Sequence, residues 1–320
     1  MFERAVDEPA RRTTLTGTNF APAMAAGILS IAAGQNGQPL LSDVLLLCAL
    51  GAVGLTVCRI LREIAGRRTK RPDGIVTGLT WVAACGALGA RLGPANPAFL
   101  FAFGALALAG LGAMMPILVL ALQRRIRRRH SWSINPSWLL GPVAVQSTTI
   151  LAGSTGTAVS GSGVEIWSTV LWFVGLITYA VVIVLILRRI HRNEVDLRGL
   201  TPDYWIAMGA LAISTVAATH VRDAAARAPA LLAAAAAWLP YLLVMELLRA
   251  QHLGVRLEYD PLRWSTVFPL AMFSVAAHDV GLPGLALVGN LFWWAALAVA
   301  FLNLAAAARA RLVRVVPSSL

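Results

Sequence analysis

The chain has 320 residues, of which 58% are hydrophobic and only 13% charged, and its mean hydropathy is +0.71. A soluble domain of that length needs far more surface charge, so the composition excludes an ordinary water-soluble fold and points to lipid as the solvent. The net charge of +12 does not signal a nucleic-acid partner, because the basic residues sit in short clusters between apolar runs, as orientation signals do.

The hydrocarbon core of a bilayer is about 30 Å thick and each crossing helix needs roughly 20 mostly apolar residues, so there is room for about ten spans. Residues 1–18 carry Glu3, Asp7, Glu8 and three arginines, show no cleavable leader, and are expected to form a cytoplasmic tail. A transmembrane domain is expected over 19–308, with apolar runs near 20–34, 40–61, 74–92, 97–122, 136–153, 164–188, 203–220, 228–249, 264–281 and 283–308. Residues 309–320 complete the chain as a second cytoplasmic tail. The first run holds Pro22, Gly27 and Ser30, and the turn Gln35-Asn36-Gly37-Gln38-Pro39 follows it. The second begins with Asp43 and contains Cys48 and Cys58, while the third holds Thr77, Gly78, Thr80 and Cys85. The fifth carries Pro142 and the polar sequence Gln146-Ser147-Thr148-Thr149, and the seventh has Gly209, Ser214 and Thr215. The eighth reads as one uninterrupted helix with Glu246 three residues before Arg249, and the ninth holds Pro269 and Ser274. The three cysteines have neither a pairing motif nor metal-ligand spacing and read as small packing residues. Trp138, Trp205 and Trp264, each near the start of an odd-numbered span, read as an interfacial aromatic belt.

Counting charges orients the chain. With the N-terminus inside, the segments on that side hold 24 of the 27 basic residues, and only Arg91, Arg222 and Arg227 remain outside. This agrees with ten spans and both termini in the cytoplasm, in a plasma (inner) membrane. The odd spans start near residues 20, 75, 137, 204 and 266, all on one side, so the chain reads as five parallel helical-hairpin repeats.

The two members of each repeat differ. Odd spans are rich in Gly, Ser, Thr and Pro, which need a protein interior or a wet cavity around them, whereas even spans such as Val181 to Leu187 are uniformly apolar. The odd spans are therefore expected inside and the even spans against lipid. Ser30, Thr77, Thr80, Gln146, Ser147, Thr148, Gly209, Ser214, Thr215 and Ser274 become the candidate pore-lining residues.

Three segments carry a family resemblance. Leu200-Thr201-Pro202-Asp203-Tyr204-Trp205-Ile206-Ala207-Met208-Gly209 resembles the seventh helix of the tellurite-resistance/dicarboxylate-transporter family, which includes the plant slow-type anion channels. Trp264-Ser265-Thr266-Val267-Phe268-Pro269 resembles its ninth helix, and Asn19 to Ser30 resembles its first, with Ala25-Ala26 where family members often have Gly-Thr. The resemblance implies five inner helices around a central pore, five outer helices, assembly as a homotrimer, and a pore gate at Phe268 followed by the helix-kinking Pro269. Phe273 is the alternative ring on that helix. Five helices about 9.5 Å apart leave a hole of roughly 3 Å radius, which one aromatic ring can fill.

The function expected is an anion channel or facilitator passing small inorganic or carboxylate anions, with no cofactor. The alternative is a proton-coupled carrier or exporter of dicarboxylates, sulfite or tellurite. The channel reading rests on the absence of an ionisable residue near the middle of any odd span. An enzyme is not expected: the five histidines lie near loops, and none forms a metal-ligand pair such as His-x-x-x-His. All odd spans start on the arginine-rich side, so their positive dipole ends concentrate anions there. Arg91, Arg222 and Arg227 are candidates for an outer vestibule. On that expectation Arg222→Glu lowers anion flux while the protein still folds, and unchanged flux removes Arg222 from any vestibule role.

Overall fold

The computed structural model describes residues 20–65, 74–127, 136–159, 162–191, 201–253 and 261–315, and every regular element among them is helical. The N-terminal tail, the last five residues and much of the basic loops expected on one side lie outside the described residues.

The described residues form eleven α-helices: α1 (Ala21–Gln35), α2 (Pro39–Ala65), α3 (Gly74–Leu92), α4 (Pro97–Arg127), α5 (Leu140–Val159), α6 (Ser162–His191), α7 (Ile206–Thr219), α8 (Ala228–Ala236), α9 (Leu239–Leu253), α10 (Trp264–Val280) and α11 (Leu285–Val315). One tight helical turn precedes each of α5, α7 and α10, over Pro136–Leu139, Pro202–Trp205 and Pro261–Arg263. Six stretches are long and apolar enough to cross a bilayer: Pro39–Ala65, Gly74–Leu92, Pro97–Ala121, Gly163–His191, Ala225–Gln251 and Leu285–Ala310. The remaining candidates are shorter or more polar. α1 has 15 residues and α7 only 14, about 22 and 21 Å at 1.5 Å per residue.

That shortfall has a cause in the packing. α1 packs on α2, α3 on α4, α5 on α6, α7 on α8 and α10 on α11, so each of these first members lies against its successor. The first members also touch one another in a closed circuit, α1 to α3 to α5 to α7 to α10 and back to α1. These five are buried on nearly every face, whereas α2, α6, α9 and α11 present Leu47, Leu55, Ile177, Leu243, Leu287 and Phe301 outward. Helices screened from lipid need neither the length nor the uniform apolarity of those that face it. The seam of α2 on α1 is a single stripe of small residues, Ser42, Ala49 and Thr56, spaced so that one helix face stays in contact.

Glycine sets the closest approaches. A Cβ at Gly86 of α3 would lie 2.5 Å from Ser147 Cβ of α5, and one at Gly27 of α1 would lie 3.1 Å from Ala87 Cβ of α3. Close backbone contact of this kind is how helices gain dispersion energy where no water is expelled. Gly37, at φ 71°, makes the turn from α1 to α2, a conformation that side chains disfavour.

At the far end of α3, Arg91 joins three helices. Its Nε donates to Ser30 Oγ and Ser42 Oγ at 3.1 Å, and Nη2 meets Asp43 Oδ1 at 2.7 Å. Ser30 and Ser42 each donate to the other's carbonyl at 2.7 Å. Asp43 is 67% exposed, so the ion pair itself is screened. Arg91→Met is expected to destabilise by about 1–2 kcal/mol, mostly through the unsatisfied serine oxygens. Thermal unfolding in detergent checks this, and an unchanged midpoint would show that the serines satisfy one another without the arginine.

Three expectations are corrected. The eighth span is two helices, α8 and α9, broken at Ala237-Trp238. Pro240 has no N–H, and its ring excludes the Ala236 carbonyl one turn back, while Trp238 Nε1 donates to Tyr179 OH of α6 at 3.0 Å and anchors the break. Trp205 and Trp264 are buried inside the protein, so they are not part of a lipid-facing belt. Cys85 is buried as a packing residue, but Cys48 and Cys58 lie on the exposed face of α2.

Candidate functional site

Two cavities lie where the five inner helices meet. The smaller, of 30 Å³, is lined by the starts of all five: Ala21, Met24, Val76, Thr80, Ser137, Leu140, Asp203, Ile206, Leu262, Ser265 and Phe268. The larger, of 410 Å³, is lined by their later turns and ends, including Ile28, Gln35, Ala87, Ser147, Ser154, Val216, His220, Met272, Val275 and Asp279.

Each lining set is a helical stripe. On α1 it runs 21, 24, 28, 31, 35; on α3 it runs 76, 80, 83, 87, 90; on α10 it runs 265, 268, 272, 275, 279. Alternating steps of three and four keep one face of a helix in line. Most of these residues are apolar.

Phe268 is the last residue of the α10 stripe on the smaller cavity, and Met272, one turn later, is the first on the larger. Its ring is wholly buried. It rests on Gly209 of α7, where a Cβ would lie 2.9 Å from Phe268 Cε1 and 2.9 Å from Pro269 Cγ. Only glycine leaves room for the ring in this position. Pro269 donates no hydrogen bond to the Ser265 carbonyl, and Ser265 lines the smaller cavity, so that carbonyl lacks its usual helical donor there. Phe273 instead lies against Phe292 of α11, with ring centroids 4.3 Å apart, on the outer side of α10.

The other candidates are distributed unevenly. Thr80 lines the smaller cavity and Ser147 the larger. Thr80 is occupied as a cap: its Oγ1 accepts from the Phe20 backbone N–H at 3.2 Å and donates to the Val76 carbonyl at 2.8 Å. Ser147 donates to the Val143 carbonyl at 2.9 Å, so its hydrogen is committed within the helix. Ser30 is held in the Arg91 cluster. Gln146 turns outward, its Nε2 donating to the Trp172 carbonyl of α6 at 3.1 Å, while Trp172 Nε1 donates to the Ser214 carbonyl at 3.1 Å. Thr148, Ser214 and Thr215 bond to carbonyls one turn back on their own helices. Ser274 is buried, and neither it nor Thr77 lines either cavity.

Of the three arginines, none lines the larger cavity. Arg91 is engaged with Asp43, Arg222 lies 3.8 Å from Glu165 while 83% exposed, and Arg227 donates to the Asp223 carbonyl. Glu246 and Arg249 form the local ion pair that their spacing suggests.

Residues that chain order did not single out do line the cavities. Asp203, at the smaller one, accepts from the Ser137 backbone N–H at 3.2 Å and from the Thr201 hydroxyl, capping the start of the α5 segment. At the rim of the larger one, Gln35 Nε2 donates to Asp279 Oδ1 at 2.8 Å, and Ser154 Oγ and His220 Nδ1 lie 3.3 Å apart. Asp279 recurs in the α10 stripe at the same interval as Phe268 and Met272, which is the signal that identifies it.

Helices buried around a shared set of cavities, inside a belt of outward apolar helices, define a polytopic membrane transport protein. Residues 14–308 match the voltage-dependent anion channel family, and the chain belongs to that family of anion channels and transporters. This is the family to which the helix segments around Phe268 and Asp203 pointed. Two uncharacterized membrane proteins of Mycobacterium tuberculosis, from strains CDC 1551 / Oshkosh and ATCC 25618 / H37Rv, are each 36% identical over 31% of this chain. The match spans 59% of the length of these curated relatives.

Proposed function

We propose that the chain is a passive pore for small anions, built as five parallel helix-pair repeats about a central axis, with the Phe268 ring as its closed gate. One observation carries the reading: the same five helices line two cavities, and Phe268 falls at their boundary. On this reading the path widens when that ring, seated against Gly209, turns aside. Anions are favoured by the amino-terminal ends of all five inner helices at the smaller cavity, where partial positive charge gathers. Basic residues near the ends of α2, α4, α6 and α11 set that side in the cytoplasm. A homotrimer in the plasma (inner) membrane, with both termini inside, completes the proposal. The cargo is a small inorganic or carboxylate anion.

A second reading, a proton-coupled carrier, draws on Asp203, His220 and Asp279, titratable groups that line the cavities. Flux in proteoliposomes separates the two. A passive pore moves nitrate or chloride down its own gradient whether or not a proton gradient is imposed. Accumulation above equilibrium that collapses with the proton gradient would replace the pore by the carrier.

A further inference from the structure

Asp279 is a carboxylate at the rim of a cavity through which, on the reading above, anions pass. It lies in the last turn of α10, on the stripe of Phe268, Met272 and Val275, and it is half-buried. Oδ1 accepts from Gln35 Nε2 at 2.8 Å across the joint between α10 and α1, and Oδ2 makes no hydrogen bond among the described residues. No described arginine or lysine pairs with it. Arg91 pairs with Asp43 and Arg222 with Glu165, and no described cation lies within ion-pair distance of Asp279. His278 turns its Nδ1 to the Ser274 carbonyl at 2.9 Å, and His220 sits with Ser154 on the α5–α7 part of the rim. Asp203 is the instructive contrast: both its oxygens are used, and one holds a helix start. Asp279 holds one neutral amide and keeps one oxygen free.

We propose that Asp279 sets valence selectivity, its fixed negative charge admitting monovalent anions to the larger cavity and rejecting divalent ones. The inference rests on the anion-pore reading. The physical reason is that an electrostatic barrier scales with the charge of the ion that meets it. A carboxylate roughly 6 Å from the path, at an effective dielectric constant of about 40, costs each unit of negative charge on the order of tenfold in occupancy. A divalent anion bears that cost twice, so the charge discriminates by about tenfold between ions of equal size. Because the site is at a wet rim, the effect weakens as ionic strength rises.

The test compares perchlorate with sulfate, two tetrahedral anions of different valence, by flux into proteoliposomes at pH 8 and low ionic strength. Hydration differences between the two ions cancel when variants are compared with the native chain. Asp279→Asn is expected to raise the sulfate-to-perchlorate rate ratio by about tenfold, and Asp279→Glu to leave it near the native value. Gln35→Ala removes the hydrogen bond but keeps the charge, and it too leaves the ratio unchanged. Ala90 also lines the larger cavity, and Ala90→Asp, a second variant independent of the α1–α10 joint, is expected to lower the ratio. Perchlorate flux with a ratio unmoved by Asp279→Asn overturns the inference alone, and a joint that merely holds α1 to α10 produces that result, with both rates shifting together. If Asp279→Asn does not fold, a ratio unmoved by Ala90→Asp overturns it instead. No perchlorate flux from the native chain under its own gradient overturns the pore reading and this inference with it.

Discussion

Phe268→Ala is expected to raise the passive rate of nitrate or chloride flux by tenfold or more. The ring is wholly buried where the α10 lining passes from the smaller cavity to the larger, and no polar side chain lies with it on α10 between Thr266 and Ser274. A hydrophobic constriction of this kind stops ions because it strips their water without replacing it. Truncation to a methyl group removes most of the ring's volume beside the 30 Å³ space, and on the gate reading it opens that space toward the 410 Å³ one. The same change costs about 3 kcal/mol of packing, so the variant is expected to melt earlier while conducting faster. That combination separates a gate from an ordinary core residue, whose loss lowers stability and activity together. Flux unchanged or reduced in folded Phe268→Ala would remove the ring from the pathway.

The second large effect is on assembly of the inner helices. Gly153 of α5 faces the end of α7, where an added Cβ would press on the His220 carbonyl oxygen, 2.9 Å from His220 Cβ and 3.1 Å from its carbonyl carbon. The obstacle is backbone, held in turn by the His220 N–H bond to the Ala217 carbonyl at 3.2 Å, so no side-chain rotation relieves it. Gly153→Ala is expected to destabilise by about 1–3 kcal/mol and to distort the rim that Ser154 and His220 form. Gly51→Ala on α2 meets nothing within 4 Å and serves as the control. It is expected to leave the melting midpoint unchanged or slightly raised. Thermal unfolding of both in one detergent checks the pair, and equal midpoints for the two would contradict the close contact of α5 with α7.

The fold was legible in chain order because lipid enforces it. The apolar run read as 74–92 is α3 to the residue, and most other boundaries differ by a few positions. The break in the eighth span was not legible, since Pro240 is set among apolar residues that a hydropathy pattern passes over. The lining was harder still. Gln146, Ser147, Thr148 and Thr149 are consecutive, so on a helix they point about 100° apart and cannot share a face. Of the four only Ser147 lines one of the two cavities, and all four are buried. The residues that do line the cavities, such as Met24, Ile28 and Met272, have no chemistry to distinguish them from lipid-facing neighbours. Their role follows from which face the closed circuit of five helices turns inward, a fact about distant pairs rather than about local sequence. Asp203 and Asp279 were visible as charges at helix ends, but only the cavities assign them a place.

The most direct measurement is the reversal potential of Phe268→Ala in a planar bilayer under a potassium chloride gradient. The account predicts a conductance that the native chain lacks or shows only weakly, reversing near the chloride equilibrium potential. A reversal near the potassium potential, or no conductance from a folded variant, would contradict an anion pore closed at Phe268.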